Sequence, residues 1–349
     1  MLSGKMYRFR VDERLIDPRF IEAMLCSPDL QIALDQIKTG GSDSGLNLTH
    51  ERFRSLRLPL PPSAEQIRIV TVIEEAFSKL DAGEAGLRTV RQLLKRMREA
   101  VLAAAVGGRL VPQDPADIPA TEILADLGVE PDSSTDDLPL GWVATALGGL
   151  LRGIEAGKSF ATQGQPARSG EMGVIKVSAM TWGEFRPEEN KALPPGTHIE
   201  QRWVVRAGDL LLSRANTEEY VGACVLVPTD HLDLILSDKS LRLVPADGIE
   251  PRWLLHALRS RPARVQIEQL ATGTKESMRN ISQAKLRGLR LSLPPTAEQR
   301  RIADEIERQL SFIDACVQAI DTATERGVAL RSSVLKAAFE GWLVPQDPT

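Results

Sequence analysis

The sequence lacks the features of a membrane protein and of a secreted protein. No apolar run approaches the roughly 20 residues that a membrane-spanning helix needs, and residues 1–15 contain no apolar stretch like that of a signal peptide. Its three cysteines, Cys26, Cys224 and Cys316, are scattered and form no CxxC pair. These shortages argue against a disulfide framework and a cysteine zinc site, and they favour a protein of the reducing cytoplasm that has no membrane contact.

Sequence motifs for catalysis are also missing. The chain contains no GxSxG, no HExxH and no Asn-Pro-Pro-aromatic motif for adenine methylation, and its four histidines show no ligand spacing. GIEAGKS at residues 153–159 is close to a phosphate-binding loop, but Arg152 occupies the position where that loop needs its first glycine. We therefore expect a non-catalytic protein with no cofactor and no metal.

The chain has slightly fewer basic than acidic residues, and the two kinds are unevenly distributed along it. The net charge is −4, and residues 111–137 hold eight acids with no Lys or Arg. Residues 250–293, in contrast, hold nine basic and three acidic residues. This distribution predicts an acidic linker beside a modestly basic globular region. Such a region suits a nucleic-acid binder that shares phosphate neutralisation with a partner.

An internal duplication organises the chain. PPSAEQIRI at residues 61–69 recurs as PPTAEQRRI at 294–302, and GRLVPQDP at 108–115 recurs as GWLVPQDP at 341–348. Both pairs are offset by 233 residues, and the alignment holds without a gap from about residue 17 to residue 115. Met1 aligns with about Ile235, so we expect the first copy to begin in mid-domain.

The most regular pattern in each copy is a heptad repeat of apolar residues. It predicts long helices at residues 64–107 and 297–340 that pair as an antiparallel coiled coil. A second apolar row, Ala76, Val90, Met97 and Ala104, is expected beside the first, and Ser63 is expected to cap the first helix with Gln66. The expected helix-pairing residues are Ile73, Leu80, Leu87, Leu94, Val101, Ile306, Ile313, Ile320 and Val334.

The remaining residues predict a mixed globular domain. Alternating apolar runs at 221–228, 232–238 and 241–245 predict strands, and 250–271 predicts a helix interrupted near Pro262. We expect an α/β or α+β fold, with one short amphipathic turn at 120–128. The expected division is 1–60, the end of a first globular domain; 61–110, a long helix; 111–137, an acidic linker; 138–293, a complete globular domain; and 294–349, a second long helix and tail.

A globular domain followed by a long helix that opens with PPxAEQxxI and closes with LVPQDP, in two copies, resembles the DNA-specificity subunits of type I restriction–modification systems. The likeness covers essentially the whole chain. It implies that 138–293 is a target-recognition domain, that 1–60 is the remnant of another, truncated at its N-terminal side, and that the two helices are conserved spacers. In that family each recognition domain reads half of a bipartite site in double-stranded DNA. The helices dock the methyltransferase (modification) subunits, and the restriction subunit joins through these.

The candidate DNA-binding residues lie on loops rich in Arg, Lys, Asn, Ser and Thr, whose side chains reach base edges and phosphates. We expect Arg214 to bind guanine, Asn216 or Asn280 to bind adenine, and Lys176 and Lys239 to bind phosphates. The full set is Lys158, Ser159, Lys176, Ser178, Arg214, Asn216, Thr217, Lys239, Thr274, Lys275, Arg279 and Asn280. The remnant at residues 1–60 repeats only part of the loop GTKESMRN at 273–280, with Thr39, Gly40, Ser44 and Asn47, so a DNA contact there is expected to be weaker.

Three hypotheses remain open at this point. The chain is a working specificity subunit, completed by self-association or by a separately encoded half. Alternatively, it is a decayed or mis-started product. The third hypothesis is a coiled-coil adaptor that does not bind DNA, whose interactions would not depend steeply on salt.

Overall fold

Two 44-residue helices, Ser63–Val106 and Thr296–Phe339, are the longest elements of the structure. The computed structural model describes residues 8–38, 47–132, 138–275 and 278–346, with the backbone alone for Thr274 and Lys275. The chain forms a terminal unit, residues 1–94 and 314–349, and a central unit, residues 95–313. One end of each long helix therefore belongs to each unit. In the described ranges, no helix has the length and apolarity needed to cross a bilayer.

The two long helices begin and end one residue before the predicted boundaries, 64–107 and 297–340. The predicted break near Pro262 is confirmed, since one helix ends at Arg259 and the next begins at Arg261 with Pro262 in its first turn. A short helix also lies inside the acidic linker, as expected. In chain order they are α1 Pro18–Leu25, α2 Pro28–Ile37, α3 His50–Arg54, α4 Ser63–Val106, α5 Ala120–Asp126, α6 Pro251–Arg259, α7 Arg261–Leu270, α8 Gln283–Arg287 and α9 Thr296–Phe339.

The two long helices pair in antiparallel orientation, as predicted. In the terminal unit, Arg331 of α9 forms ion pairs with Asp81 (2.5 Å) and Glu84 (3.2 Å) of α4. Ten residues further along α4, Arg91 pairs with Asp321, which lies ten residues earlier on α9. In the central unit, apolar residues of both helices share one core: Val101, Ala105, Ile302, Ala303 and Ile306.

The predicted seam is buried along one row and not along two. The buried members are Ile73, Leu94, Val101, Ile306, Ile313 and Ile320, and Leu80, Leu87 and Val334 are half-buried. The second row was wrong at Val90 and Met97, which are 43% and 42% exposed. A helix that meets a single partner buries only a narrow stripe, so a second stripe stays uncovered until another element packs on it.

The predicted capping role of Ser63 and Gln66 was also wrong. The carbonyl of Pro62 already accepts the Gln66 amide, so α4 starts one residue earlier than expected. The Gln66 side chain accepts from the Asp17 amide (2.9 Å) and donates to the Pro61 carbonyl (2.9 Å). It thereby ties the start of the long helix to the start of α1.

The duplication recurs in these contacts. Gln299, 233 residues after Gln66, accepts from the Glu250 amide (2.8 Å) and donates to the Pro294 carbonyl (2.9 Å). Those partners are the counterparts of Asp17 and Pro61. In each copy, therefore, a buried glutamine amide ties the start of the long helix to the start of a short helix, α1 in the first copy and α6 in the second.

The strands that the structure describes belong to the central unit. Their bounds are β1 Val143–Ala146, β2 Leu151–Ala156, β3 Gly173–Ile175, β4 Asn190–Ala192, β5 Val204–Val205, β6 Leu210–Ser213, β7 Ala215–Asn216, β8 Cys224–Leu226, β9 His231–Ile235, β10 Ser240–Pro245, β11 Thr272–Lys275, β12 Met278–Asn280 and β13 Arg290–Leu293.

Within the described ranges these strands form four small sheets. The strand orders are β1-β13, β2-β10-β6-β8, β11-β12-β7 and β4-β3-β9-β5. The predicted strands at 221–228, 232–238 and 241–245 correspond to β8, β9 and β10.

The acidic linker packs against the central unit where the structure describes it. Ala120 and Leu124 of α5 are completely buried in the core of that unit. Asp117 forms an ion pair with Arg301 of α9 (2.6 Å). Part of the negative charge is therefore used to hold the linker in place.

A buried histidine in α6 makes the stability of the central unit depend on pH. His256 is 5% exposed, and neither ring nitrogen has a hydrogen-bond partner among the described residues. Burial, aided by the nearby Arg259 and Arg252, lowers its pKa from 6.5 to about 4. The ring is neutral in the fold at neutral pH, and unfolding takes up a proton at pH values between these two pKa values.

We expect stability to be lost as the pH falls from about 6.5 to about 4, with about 2 kcal/mol lost between about pH 7.5 and about pH 5. His256→Leu should remove this part of the loss. Urea unfolding of both proteins at the two pH values measures it. Equal losses in the two proteins would show that His256 does not carry the effect.

Candidate nucleic-acid interface

Five of the predicted DNA-binding residues line one concavity of the central unit. Its volume is about 410 Å³, and four lysines from separate segments surround it. Sequence reasoning missed one of these, Lys191, because it lies in NKALP, which carries no loop signature. The predicted residues in the concavity are Lys158, Ser159, Lys176, Ser178 and Lys239.

A glycine at position 157 brings the first of these segments to the concavity. Lys158 forms an isolated parallel bridge with Ser237, two residues before Lys239 in the chain. A Cβ atom at Gly157 would collide with the carbonyls of Leu236 and Ser237. Only glycine permits this close approach of two backbones, so Gly157 positions Lys158 beside Lys239.

The lysines of the concavity differ in how freely they can meet an anion. Lys176 Nζ and Ser178 Oγ both bond Oε2 of Glu189 at 2.6 Å. The bonds from Lys176 and Ser178 lower the pKa of Glu189, so its carboxylate stays ionised and offsets one positive charge. Lys191 and Lys239 are exposed, and neither has an ion pair within the described ranges.

The loops SRANT at residues 213–217 and GTKESMRN at 273–280 contribute strands to one three-stranded sheet, β11-β12-β7. In it Arg279 lies opposite Asn216, and Asn280 lies opposite Ala215. The backbone of Arg214 connects this sheet to the concavity, because its amide donates to the Lys239 carbonyl (3.0 Å) and its carbonyl accepts from the Ile281 amide (2.9 Å). The lysine concavity and the sheet thus border each other at Arg214.

The side chains of Arg214 and Arg279 differ in how far they are engaged within the protein. Arg214 is half-buried, and its guanidinium has no hydrogen bond or ion pair among the described residues. Arg279, in contrast, pairs with Glu218 (3.3 Å) and donates to the Gly273 carbonyl (3.4 Å). Arg214 is therefore the better placed of the two to bind a base edge bidentately.

The two asparagines differ in the same way. Asn216 accepts from the Thr217 amide (2.9 Å) and donates to Thr181 Oγ1 (3.4 Å), so it is mostly engaged within the protein. Asn280 is exposed, with no side-chain hydrogen bond in the part of the chain that the structure describes.

Some of the predicted contacts fall on parts of the chain that the structure does not describe. The side chains of Thr274 and Lys275 lie outside the described residues, although the Lys275 backbone pairs with Met278. The remnant positions Thr39, Gly40 and Ser44 also lie outside the described residues.

An exposed aromatic next to Asn216 was not predicted. Trp182 is 54% exposed, the Arg186 guanidinium lies over its ring at 5.3 Å, and the Tyr220 ring is 6.2 Å away. Its neighbour Thr181 accepts the hydrogen bond from Asn216. The sequence signal that could have identified this position is a tryptophan within the polar segment TWGEF of a chain with 4% aromatic residues.

Comparison with known proteins finds that the chain is similar to members of one family. The specificity subunit of the type I restriction enzyme EcoEI from Escherichia coli is 27% identical to the chain over 86% of the chain. The EcoKI specificity subunit from E. coli K12 is 24% identical over 96%. The predicted resemblance to type I specificity subunits is confirmed. The chain spans 61% and 67% of the length of these two subunits, and no family model matches it.

Solved structures of type I specificity subunits confirm the fold. The HsdS subunit from Thermoanaerobacter tengcongensis is 21% identical, with a TM-score of 0.51 over 96% of this chain and 73% of that one. A chain from a study of complex assembly and conformational transition of the type I R-M system gives a TM-score of 0.64, also at 21% identity, over 96% and 74%. The mixed globular fold with two long antiparallel helices is therefore the fold of type I specificity subunits.

Proposed function

We propose that the chain is a sequence-specific DNA-binding subunit of a cytoplasmic type I restriction–modification complex. It directs methyltransferase and restriction subunits to a bipartite DNA site and has no catalytic activity by itself. The observation that carries this proposal is the juxtaposition at Arg214. On one side lies a concavity with four lysines, and on the other a sheet that presents Asn280.

The lysine concavity serves as the contact for the DNA backbone. Lysines bind phosphate as point charges and fix the position of the protein on the duplex without reading sequence. Lys191 and Lys239 contribute most, because they are exposed and unpaired among the described residues. Lys176 contributes less, because Glu189 already neutralises it.

Arg214 and Asn280 serve as the base readers. An arginine binds guanine O6 and N7 bidentately in the major groove, and an asparagine binds adenine N6 and N7 in the same way. Since the Arg214 backbone bonds to Lys239 on one side and to Ile281, the residue after Asn280, on the other, phosphate contacts and base contacts are available to one duplex. The sequence that they recognise is a property of these two positions together with the loop around residues 273–280.

The exposed apolar row of α4 serves as a docking face for a methyltransferase subunit. Val90 and Leu93, both in the terminal unit, lie three residues apart on α4 and are 43% and 54% exposed. A row of large apolar side chains on one helix face is typical of a protein interface. This assignment also explains why the second row of the heptad pattern exists without being buried by α9.

The salt dependence of binding tests DNA contact. On a short random-sequence duplex, each phosphate contact contributes about 0.9 to the slope of log K against log salt concentration. Lys191→Ala combined with Lys239→Ala should lower that slope by about 2, because two phosphate contacts are lost. Titrations between about 50 and 200 mM salt measure it, with Lys336→Ala on α9 as the control, whose slope should equal that of the parent protein.

The same titration distinguishes a DNA-binding subunit from a coiled-coil adaptor that does not bind DNA. If the chain shows no DNA binding with its methyltransferase partner present, or if the lysine pair leaves the slope unchanged, the lysine concavity is not a DNA contact. An interaction that persists at all salt concentrations would favour an adaptor that acts through α4 and α9.

A further inference from the structure

One of the four tryptophans of the central unit is held at the surface. Trp182 is 54% exposed, whereas Trp142, Trp203 and Trp253 are all buried. Single apolar residues are common on protein surfaces, so exposure alone does not mark a binding site. What distinguishes Trp182 is how firmly its backbone is held and which side chains surround its ring.

The loop that carries Trp182 is anchored on both sides. Met180 is completely buried, Phe185 is 8% exposed, and both belong to one core cluster. The Arg186 amide donates to the Ala179 carbonyl (3.0 Å), which closes the segment between them. The ring is therefore presented by a short loop whose two ends are fixed in the core.

Two further features fix the tip of this loop. Gly183 has a φ of +86°, a left-handed conformation that favours glycine, so the chain can turn directly after Trp182. The Gly183 carbonyl accepts from Arg259 Nη2 of α6 (2.6 Å), and the same nitrogen donates to the Cys224 carbonyl of β8 (2.7 Å). A ring that is already held in place loses little further freedom when it binds a partner.

The anchored ring lies beside the candidate base readers. Thr181, the residue before Trp182, accepts a hydrogen bond from Asn216 Nδ2 (3.4 Å). Asn216 lies opposite Arg279 in the β7-β12 pair and two residues after Arg214. A duplex that contacts Arg214 therefore comes within reach of Trp182.

The groups around the ring favour a nucleobase over an apolar protein surface. The Arg186 guanidinium lies over the ring at 5.3 Å and also pairs with Glu184 (3.1 Å), and the ring of Tyr220 is 6.2 Å away. Protein-docking patches are contiguous groups of apolar side chains. An aromatic ring among cationic and polar groups is instead typical of base stacking, in which the ring meets the base and the cations meet the backbone.

We propose that Trp182 stacks on a base of the bound duplex at a step where the base stack opens. The faces of bases inside a duplex are covered by their neighbours, so a side chain reaches one only where the step is unstacked and the DNA kinks. Because the cost of opening a step depends on its sequence, Trp182 contributes specificity without a hydrogen bond to a base edge. This inference rests on the proposed DNA binding and adds to it a distortion of the duplex.

Affinity and DNA bending, measured on one duplex, test the inference. The full chain is combined with methyltransferase subunits of the proposed complex, and the probe is a duplex of a sequence that this complex selects from random DNA, labelled at both ends for energy transfer. The parent complex should bend it by about 20° or more. Trp182→Ala should bend it less and bind at least about fivefold more weakly, because a base–aromatic stack is lost.

Two variants and the salt dependence separate stacking from other roles of the ring. Trp182→Phe should restore most of the affinity and the bend, since a smaller aromatic ring still stacks. Trp342→Ala removes a tryptophan of the terminal unit that is 81% exposed, and it should leave both unchanged. The slope of log K against log salt concentration should be the same in Trp182→Ala and the parent, because the ring neutralises no phosphate.

Three results would overturn the inference while the proposed function stands. They are a straight duplex in a parent complex that selects a sequence, an unchanged affinity and bend in Trp182→Ala, and weaker assembly of Trp182→Ala with the methyltransferase subunits in sedimentation without DNA. The last result would assign the ring to a protein interface. A parent complex that binds no DNA would overturn the proposed function as well. Thermal melting confirms that Trp182→Ala is folded, as expected for an exposed side chain.

Discussion

Replacing Leu94 by aspartate is expected to destabilise the protein by about 3 kcal/mol or more. Leu94 is 8% exposed on the seam of α4, three residues beyond Arg91, which pairs with Asp321 of α9. The substitution removes a buried apolar side chain and places a carboxylate in the apolar seam. Both effects oppose the pairing of α4 with α9.

The adjacent leucine provides a matched control. Leu93 is 54% exposed on the outer face of α4, so Leu93→Asp should change stability by no more than about 0.5 kcal/mol. Urea unfolding followed by far-ultraviolet circular dichroism measures both variants against the parent. Equal effects of the two substitutions would mean that the antiparallel seam does not carry the stability assigned to it. If Leu93→Asp also abolishes methyltransferase binding, that result supports the proposed docking face.

Replacing Arg214 by alanine is expected to reduce discrimination at one base pair of the recognised sequence by up to about 3 kcal/mol, or roughly a hundredfold. The guanidinium is uncommitted among the described residues and lies between the lysine concavity and the β7-β12-β11 sheet. Its loss should leave binding to random duplexes and the assembly with other subunits nearly unchanged, because the lysines are intact.

Arg300→Ala is the control for this prediction. Arg300 lies on α9, its side chain is 67% exposed, and its only described ion pair is a long one to Glu250 (3.9 Å). Competition binding against duplexes with single base changes measures discrimination for both variants. If Arg214→Ala weakens binding to every duplex equally, Arg214 contacts the DNA backbone instead of a base.

The long helices and the duplication could be predicted from the sequence because their signals are local or exactly periodic. A heptad row fixes a helix without knowledge of its partner, and the 233-residue offset then identifies that partner. The break before α7 was predictable for the same reason, since Pro262 acts on its immediate neighbours. These features explain why the bounds of α4 and α9 agree with expectation to within one residue.

The arrangement of the candidate interface could not be predicted, because it depends on contacts between distant segments. The sequence marked Lys158, Lys176 and Lys239 as candidates, but their meeting around one concavity depends on tertiary contacts such as the bridge from Lys158 to Ser237. The neutralising contact from Glu189 was invisible for the same reason. Burial was misjudged at Val90 and Met97, since the heptad pattern does not say how many partners a helix meets.

Selection of DNA by the assembled complex tests most directly whether the central unit reads DNA. The chain is combined with methyltransferase subunits of the proposed complex and incubated with duplexes of random sequence, and the bound molecules are sequenced. If the central unit reads DNA, these molecules share a defined short sequence, and Arg214→Ala relaxes this sequence at one position. Bound duplexes without any common sequence, with the complex intact, would contradict the claim that the central unit reads DNA.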